Sequence, residues 1–300
     1  MSIEGMRCKD MQYELKNDFL TVKVSSVGAE LQSIRDSSDL ERIWQSDENI
    51  WPRQAPILFP IVGRLKDDHY YVDGKEYKMT LHGFARDEEF TLISSEESEL
   101  ALKLTDNEFS HKIYPYKFEL EVIYRLKEKE LSVSYIVKNI DNKKDLYFSI
   151  GAHPGFVVPF QKKLKYDDFE ITFSPQKSRK MVPMVDHYAD LNNKYDVPNQ
   201  DFRLSREKFK DDALVYELDD STDITIKSEH VKKEVIFNTG NAKYVGLWST
   251  YPKEGNFVCI EPWWGIDDTL NSDNQYEHKA GINKLVPEES FKAHFSVKII

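Results

Sequence analysis

Cysteine is scarce: Cys8 and Cys259 are the only two in 300 residues, too few for a disulfide framework at this size. Basic residues are in deficit, with 41 Lys and Arg against 52 Asp and Glu, a net charge of −11 and a pI near 5.3. That balance argues against a surface built for a nucleic-acid backbone or an anionic membrane, while leaving room for one small anion in a local basic pocket. Long hydrophobic runs are missing too. The longest nearly apolar stretch, Ala55 to Gly63, holds two prolines and is less than half a membrane span. The opening Met1-Ser2-Ile3-Glu4-Gly5 lacks a basic region followed by an apolar one, so no secretory signal is expected. No repeat, low-complexity tract or Pro/Gly/Ser-rich linker divides the chain. What remains, 40% hydrophobic and 31% charged residues, is the mix of a soluble globular protein, expected in the cytoplasm.

The dominant period is two. Phe118, Leu120, Val122, Tyr124 and Leu126 alternate with more polar residues, and after Lys127-Glu128-Lys129-Glu130 the pattern resumes at Leu131, Val133, Tyr135 and Val137. This predicts a hairpin with one apolar face. Asp73-Gly74 is a two-residue turn signal between Tyr70–Val72 and Glu76–Met79. Further strands are predicted at 19–25, 90–94, 100–104, 169–173, 223–227, 234–237, 244–248, 258–261 and 291–299. Helical periodicity is confined to 108–113 and to 206–210 behind a capping Ser205. Without a βαβ rhythm a parallel sheet is disfavoured, and the pattern predicts an all-β protein, a large antiparallel sandwich with a few short helices. A length prior of about 150 residues per domain suggests two domains, but all-β sandwiches often exceed 200 residues as one unit. One domain over 1–300 is the better reading, with the polar stretch 161–200 as its loosest part.

Several machineries are absent: no G-x-S-x-G elbow, no glycine-rich phosphate loop, no H-E-x-x-H helix and no C-x-x-C pair. Three stretches instead place polar residues where strands should end. These are Trp51–Arg64 with Leu81-His82-Gly83-Phe84-Ala85-Arg86-Asp87, then Ser149–Phe156, then Leu247–Thr250 with Cys259–Gly265. His153 and Glu261 each precede a proline, which biases the backbone toward extended geometry and holds the side chain on a stiff support. Gly83, Gly151 and Gly155 beside them permit close approach of a ligand or another backbone. Taken singly, His82 or His153 reads as a hydrogen-bonded core or turn residue. His69, His111, His187, His230, His278 and His294 sit in polar surroundings and read as surface. Glu261 is harder to dismiss, because a glutamate is almost never buried unless paired. Trp248, Trp263 and Trp264 read either as core or as flat apolar surface for a sugar ring. Arg53, Arg64 and Arg86 read as solvated, except that Arg64, ending an apolar run, suits a hydrogen-bonding role. A metal held by His82, His153 and Glu261 ranks below proton transfer, since gaps of 71 and 108 residues give it no support.

At these residues the sequence resembles the aldose 1-epimerase (galactose mutarotase-like) superfamily, specifically its LacX-type branch. Four blocks carry the resemblance: Leu58–Arg64, Leu81–Asp87, Gly151–Phe156 and Cys259–Trp263. Each is moderately specific alone; four in family order make a strong match over most of the chain. The resemblance implies a supersandwich with a sugar in an open cleft, His153 as general acid to the ring oxygen and Glu261 as general base on the anomeric hydroxyl. It further implies His82 and Arg64 as a second histidine and an arginine that hold the sugar, and an aspartate binding its hydroxyls, placed at Asp212 with Asp211 as the alternative. Phe156, Trp248 and Trp263 are expected at the substrate. Ring opening of this kind needs no cofactor, metal or covalent intermediate. The expected function is interconversion of α and β anomers of an aldohexose. The alternatives are a hexose-6-phosphate 1-epimerase using Arg53, Arg64 and Arg86 on phosphate, or a non-catalytic carbohydrate-binding protein. Hydrolysis ranks last, because it needs two carboxyls and the motifs supply one clear glutamate. The expected partner is a small-molecule sugar, with selectivity set by loops such as 177–200; no oligomeric partner is evident.

Overall fold

The computed structural model describes residues 10–300; Cys8 and the opening segment lie outside the described residues. The alternating hairpin forms as read, Phe118–Lys127 against Glu130–Asn139, with every apolar residue of the pattern turned inward. It sits within a nine-stranded antiparallel sheet. In spatial order its strands are Phe202–Arg203, Glu170–Ser174, Asp223–Ser228, Val231–Asn238, Ser290–Ile299, Glu130–Asn139, Phe118–Lys127, Glu99–Thr105 and Thr91–Ser95. A second antiparallel sheet runs Tyr195–Val197, Arg179–Val182, Leu214–Glu217, Tyr244–Trp248, Phe257–Trp264, Ile150–Ala152 and Ile57–Leu58, with Gly155–Val157 also paired to Phe257–Trp264. The sheets face each other through aromatic contacts such as Tyr135 with Trp264 and Phe173 with Tyr216. Their shared apolar core draws on residues from Leu15 to Ile299. This is the all-β sandwich that the alternation predicts.

Asp73-Gly74 turns between His69–Val72 and Lys75–Lys78, both central residues having positive φ as a tight hairpin turn requires. Among the described residues the helical content is a single turn at Ser110–Ile113 and short 3₁₀ segments, including Arg206–Phe209. Ser205 does not cap that segment: it makes no side-chain bond there. No described helix is long and apolar enough to cross a membrane.

One departure from alternation positions the site. The strand Phe257–Trp264 is buried at all eight positions. Val258, Ile260 and Trp264 face the main core, while Trp263 packs on the opposite face with Leu58, Val62, Val182, Val215 and Ile266. A strand covered on both faces loses its polar side and reads as a continuous apolar run. Glu261 lies inside this strand, not at its end, because the chain continues extended through Pro262 to Trp264.

Candidate active site

Phe257–Trp264 pairs on one side with Ile150–Ala152 and Gly155–Val157, and the ladder is interrupted between them at His153-Pro154. On the central strand the facing stretch carries Glu261-Pro262. Neither proline has an N–H to give to a ladder. The break brings the two ionisable side chains together: His153 Nε2 lies 3.3 Å from Glu261 Oε1, and the residues are only 7% and 2% exposed.

The pair forms the floor of a cleft of about 380 Å³, within the usual range for small-molecule sites. Trp51 and Trp248 wall one side. The Trp51 ring lies 5.0 Å from His153 and 5.7 Å from Trp248, and Trp248 meets His153 edge-on at 5.5 Å. Trp263 lies against Gly246 and Gly151 on the flanking strands, where an added Cβ would come within 2.6 Å and 2.9 Å of its ring. The flat floor therefore requires glycine on both sides.

His82 stands at 5.6 Å from His153, nearly perpendicular to it. Its Nδ1 accepts the Gly63 N–H at 3.0 Å, which places the hydrogen of the neutral imidazole on Nε2. The next amide, Arg64 N–H, donates to Asp267 Oδ1 at 2.9 Å. Two successive backbone donors thus aim two side chains into one cleft. Gly63 is held at φ +69, and a Cβ there would overlap the Asp267 carboxylate. His82, His187 and Asp212, all lining the cleft, also have positive φ without being glycine.

Burial dominates the electrostatics. It pushes the His153 imidazole down to about 3, with Arg86 adding to the effect, and drives His82 well below the usual histidine range. Glu261 is raised well above the carboxylate range by burial, then by Asp267 and Asp212; the Trp263 indole opposes this, although its N–H has no partner of full hydrogen-bond geometry. Asp267 is pushed up to about 6, chiefly by burial, against the Arg64 amide and the Lys279 charge. His153 and Glu261 are within ion-pair distance, yet both shifts favour the uncharged forms, a neutral imidazole beside a protonated carboxyl, two groups that share one titratable proton.

His82, His153, Glu261, Arg64, Asp212, Trp248 and Trp263 all line this cleft. Asp211 is exposed and outside the lining. Phe156 is a correction: it is fully buried between the sheets, 6.0 Å from Phe237, because alternation along Gly155–Val157 turns it to the core. The glycines flanking the motifs admit protein, not ligand: Gly83 abuts the Phe59 carbonyl and Gly155 the Trp51 ring. Arg53 is bonded to Asp87 outside the lining, whereas Arg86 lines the cleft and donates to the Leu81 carbonyl at 2.8 Å. Among the further lining residues are Trp51, Asp267, Met184 and His187. Met184 and His187 come from the hairpin Met184–Val185/Tyr188–Ala189, inside the 177–200 segment expected to set selectivity. His187, read as a surface residue, is exposed but bonds Asp212 Oδ2 through Nδ1 at 2.5 Å.

An imidazole–carboxyl pair on the floor of an aromatic cleft, carried by an antiparallel supersandwich, defines a galactose mutarotase-like protein. Residues 11–283 match the aldose 1-epimerase family. Protein LacX of Lactococcus lactis subsp. lactis is 32% identical over 97% of this chain and 100% of its own length. A galactose mutarotase related enzyme from Lactobacillus acidophilus superposes with a TM-score of 0.94 at 40% identity, over 97% of each chain. A galactose mutarotase-like protein from Lactobacillus casei gives 0.88 at 25% identity, over 97% of this chain and 100% of its own. The chain belongs to the aldose 1-epimerase family, in its LacX-type branch.

Proposed function

We propose that this protein interconverts the α and β anomers of an unphosphorylated aldohexose. The observation that carries the reading is the 3.3 Å approach of His153 Nε2 to Glu261 Oε1 in a cleft of sugar-ring size. In the reactive form the shared proton is on His153 and Glu261 is a carboxylate. Glu261 takes the proton of the anomeric O1–H while His153 Nε2–H protonates the ring oxygen, and the C1–O5 bond breaks to give the open aldehyde. Rotation about C1–C2 and return of both protons close the other anomer and restore the starting state. Each positioned proton transfer contributes roughly 10²–10⁴-fold.

The second histidine has a different task. His82, kept neutral by burial and with hydrogen on Nε2, donates a hydrogen bond to a sugar oxygen without giving up the proton. Trp51 and Trp248 cover an apolar face of the ring. Asp212 and Asp267 accept from hydroxyls, and Arg64 donates to them. A phosphate ester is disfavoured because Arg53 lies outside the cleft, bonded to Asp87, and the two arginines that line it, Arg64 and Arg86, are matched by two aspartates, Asp212 and Asp267.

Exchange NMR on glucose and galactose tests the reading. Acceleration over buffer is expected, with Glu261→Gln and His153→Asn each losing about 10²-fold or more. A bell-shaped pH profile is expected as well, since the pair is inactive with two protons or none. Sugar binding without exchange would show a carbohydrate-binding protein instead. Faster exchange of glucose 6-phosphate than of glucose would overturn the choice of substrate.

A further inference from the structure

Cys259 carries a buried thiol that this proton transfer leaves unused. It lies two residues before Glu261 on the same face of Phe257–Trp264 and is fully buried. Among the described residues, Cys259, His153 and Glu261 form a cluster in which one donor atom from each lies within 4.8 Å of the others.

Three features give this cluster the chemistry of a metal site. The first is spacing. Ligands bonded at about 2.0–2.1 Å to a tetrahedral zinc ion stand roughly 3.3 Å apart, which is the separation of His153 Nε2 and Glu261 Oε1, 3.3 Å. A thiolate with its bond of about 2.3 Å would sit roughly 3.6 Å from each, so a sulfur already within 4.8 Å has at most about 1.2 Å to close. The second is charge. A carboxylate and a thiolate together neutralise a dication, which a cluster of buried side chains demands, because an isolated buried charge is very costly. The third is donor type. One nitrogen, one sulfur and one oxygen suit zinc and its relatives, whereas magnesium and calcium favour oxygen ligands. The open cleft leaves a fourth position for water.

We propose that His153, Cys259 and Glu261 form an inhibitory site for a thiophilic divalent cation of the zinc class, which occupies the acid–base pair and stops proton transfer. Binding releases two protons to solvent, one from the Cys259 thiol and the one shared by His153 and Glu261; no electron is transferred. The ion and the sugar compete for the same two groups. Inhibition as a readout rests on the proposed epimerase activity, but metal binding does not.

The test uses the full chain with Cys8→Ser, so that Cys259 is the only thiol. Cobalt(II) titration should produce a thiolate-to-cobalt charge-transfer band that zinc abolishes and that Cys259→Ser, or Cys259→Ala if the serine variant fails to fold, does not show. In exchange assays, zinc chloride should inhibit where equal magnesium chloride does not, and a chelator should restore the rate. Loss of an outer-shell partner alone weakens metal sites about 10–100-fold. Cys259→Ser, keeping its basal rate, should therefore need at least about tenfold more zinc. Absence of the charge-transfer band, or equal zinc sensitivity with and without the thiol, overturns the proposal. If no sugar is epimerised, the cobalt titration alone decides it.

Discussion

Gly63 and Arg64 show how much a cleft owes to two backbone amides. The pair of N–H groups orients His82 and Asp267, and the approach is so close that no side chain fits at position 63. Gly63→Ala is therefore expected to displace the Asp267 carboxylate and cut kcat/KM at least about tenfold, since small misplacements at an active site are costly. Circular dichroism with steady-state exchange rates checks this; a fold-preserving alanine with the wild-type rate would refute it. Asp267 itself holds an unfavourable charge. Its pKa of about 6 lies above the ordinary 3.8, so the folded state binds more protons than the unfolded one between those values. Stability from this group falls as pH rises through that window, and ionisation costs on the order of 3 kcal/mol above it. Asp267→Asn should raise Tm at pH 7.5, lose that advantage near pH 4, and raise KM for the sugar. Thermal scans at both pH values with a KM determination test all three parts. Nothing in Gly265-Ile266-Asp267-Asp268 signals this role, because the residue acquires it only through contact with a turn some 200 positions away.

At the scale of the element, the break in the central sheet and the hairpin over the cleft divide the labour. The two X-Pro pairs are legible as stiff, extended supports, and the strand carrying Glu261 is read at 258–261, whereas no strand is read for the short pieces that flank His153. The facing of the pairs was not visible, since register across strands is a tertiary fact. The same holds for His187, whose polar neighbours mark it as exposed and whose bond to Asp212 depends on how the hairpin folds over. His187→Ala should free the Asp212 carboxylate, raising KM several-fold with kcat nearly unchanged, and His187→Asn should restore part of the affinity. Equal losses in kcat and kcat/KM would instead place His187 in the proton transfer. Trp51 is a milder case, present in a motif yet recognisable as a cleft wall only once its stacking on His153 and Phe257 is seen.

Across the whole molecule, the sandwich was legible because most strands have one wet face, and period two reports that directly. The strand Phe257–Trp264 departs from it because two apolar layers enclose it. Phe156 shows the consequence of judging a residue by its motif: it neighbours His153 in sequence yet faces the other layer. Phe156→Ala should cost about 3–5 kcal/mol in urea unfolding while leaving KM unaltered. A selective rise in KM without loss of stability would return it to the cleft. Acid should weaken the fold through His153. Its imidazole stays neutral down to about 3 when folded, whereas the unfolded chain takes up a proton near the ordinary 6.5. Stability from this group is present above that range and declines as pH falls through it.

The placement of the hairpin Met184–Ala189 has an evolutionary corollary. The reactive pair is anchored in the middle of a sheet, while His187 and Met184 reach the cleft from a peripheral two-stranded flap. On the proposed function, relatives can exchange that flap and acquire a taste for other sugars without disturbing the pair beneath it. Diversification of this lineage should therefore be concentrated at the rim, with the machinery inherited intact.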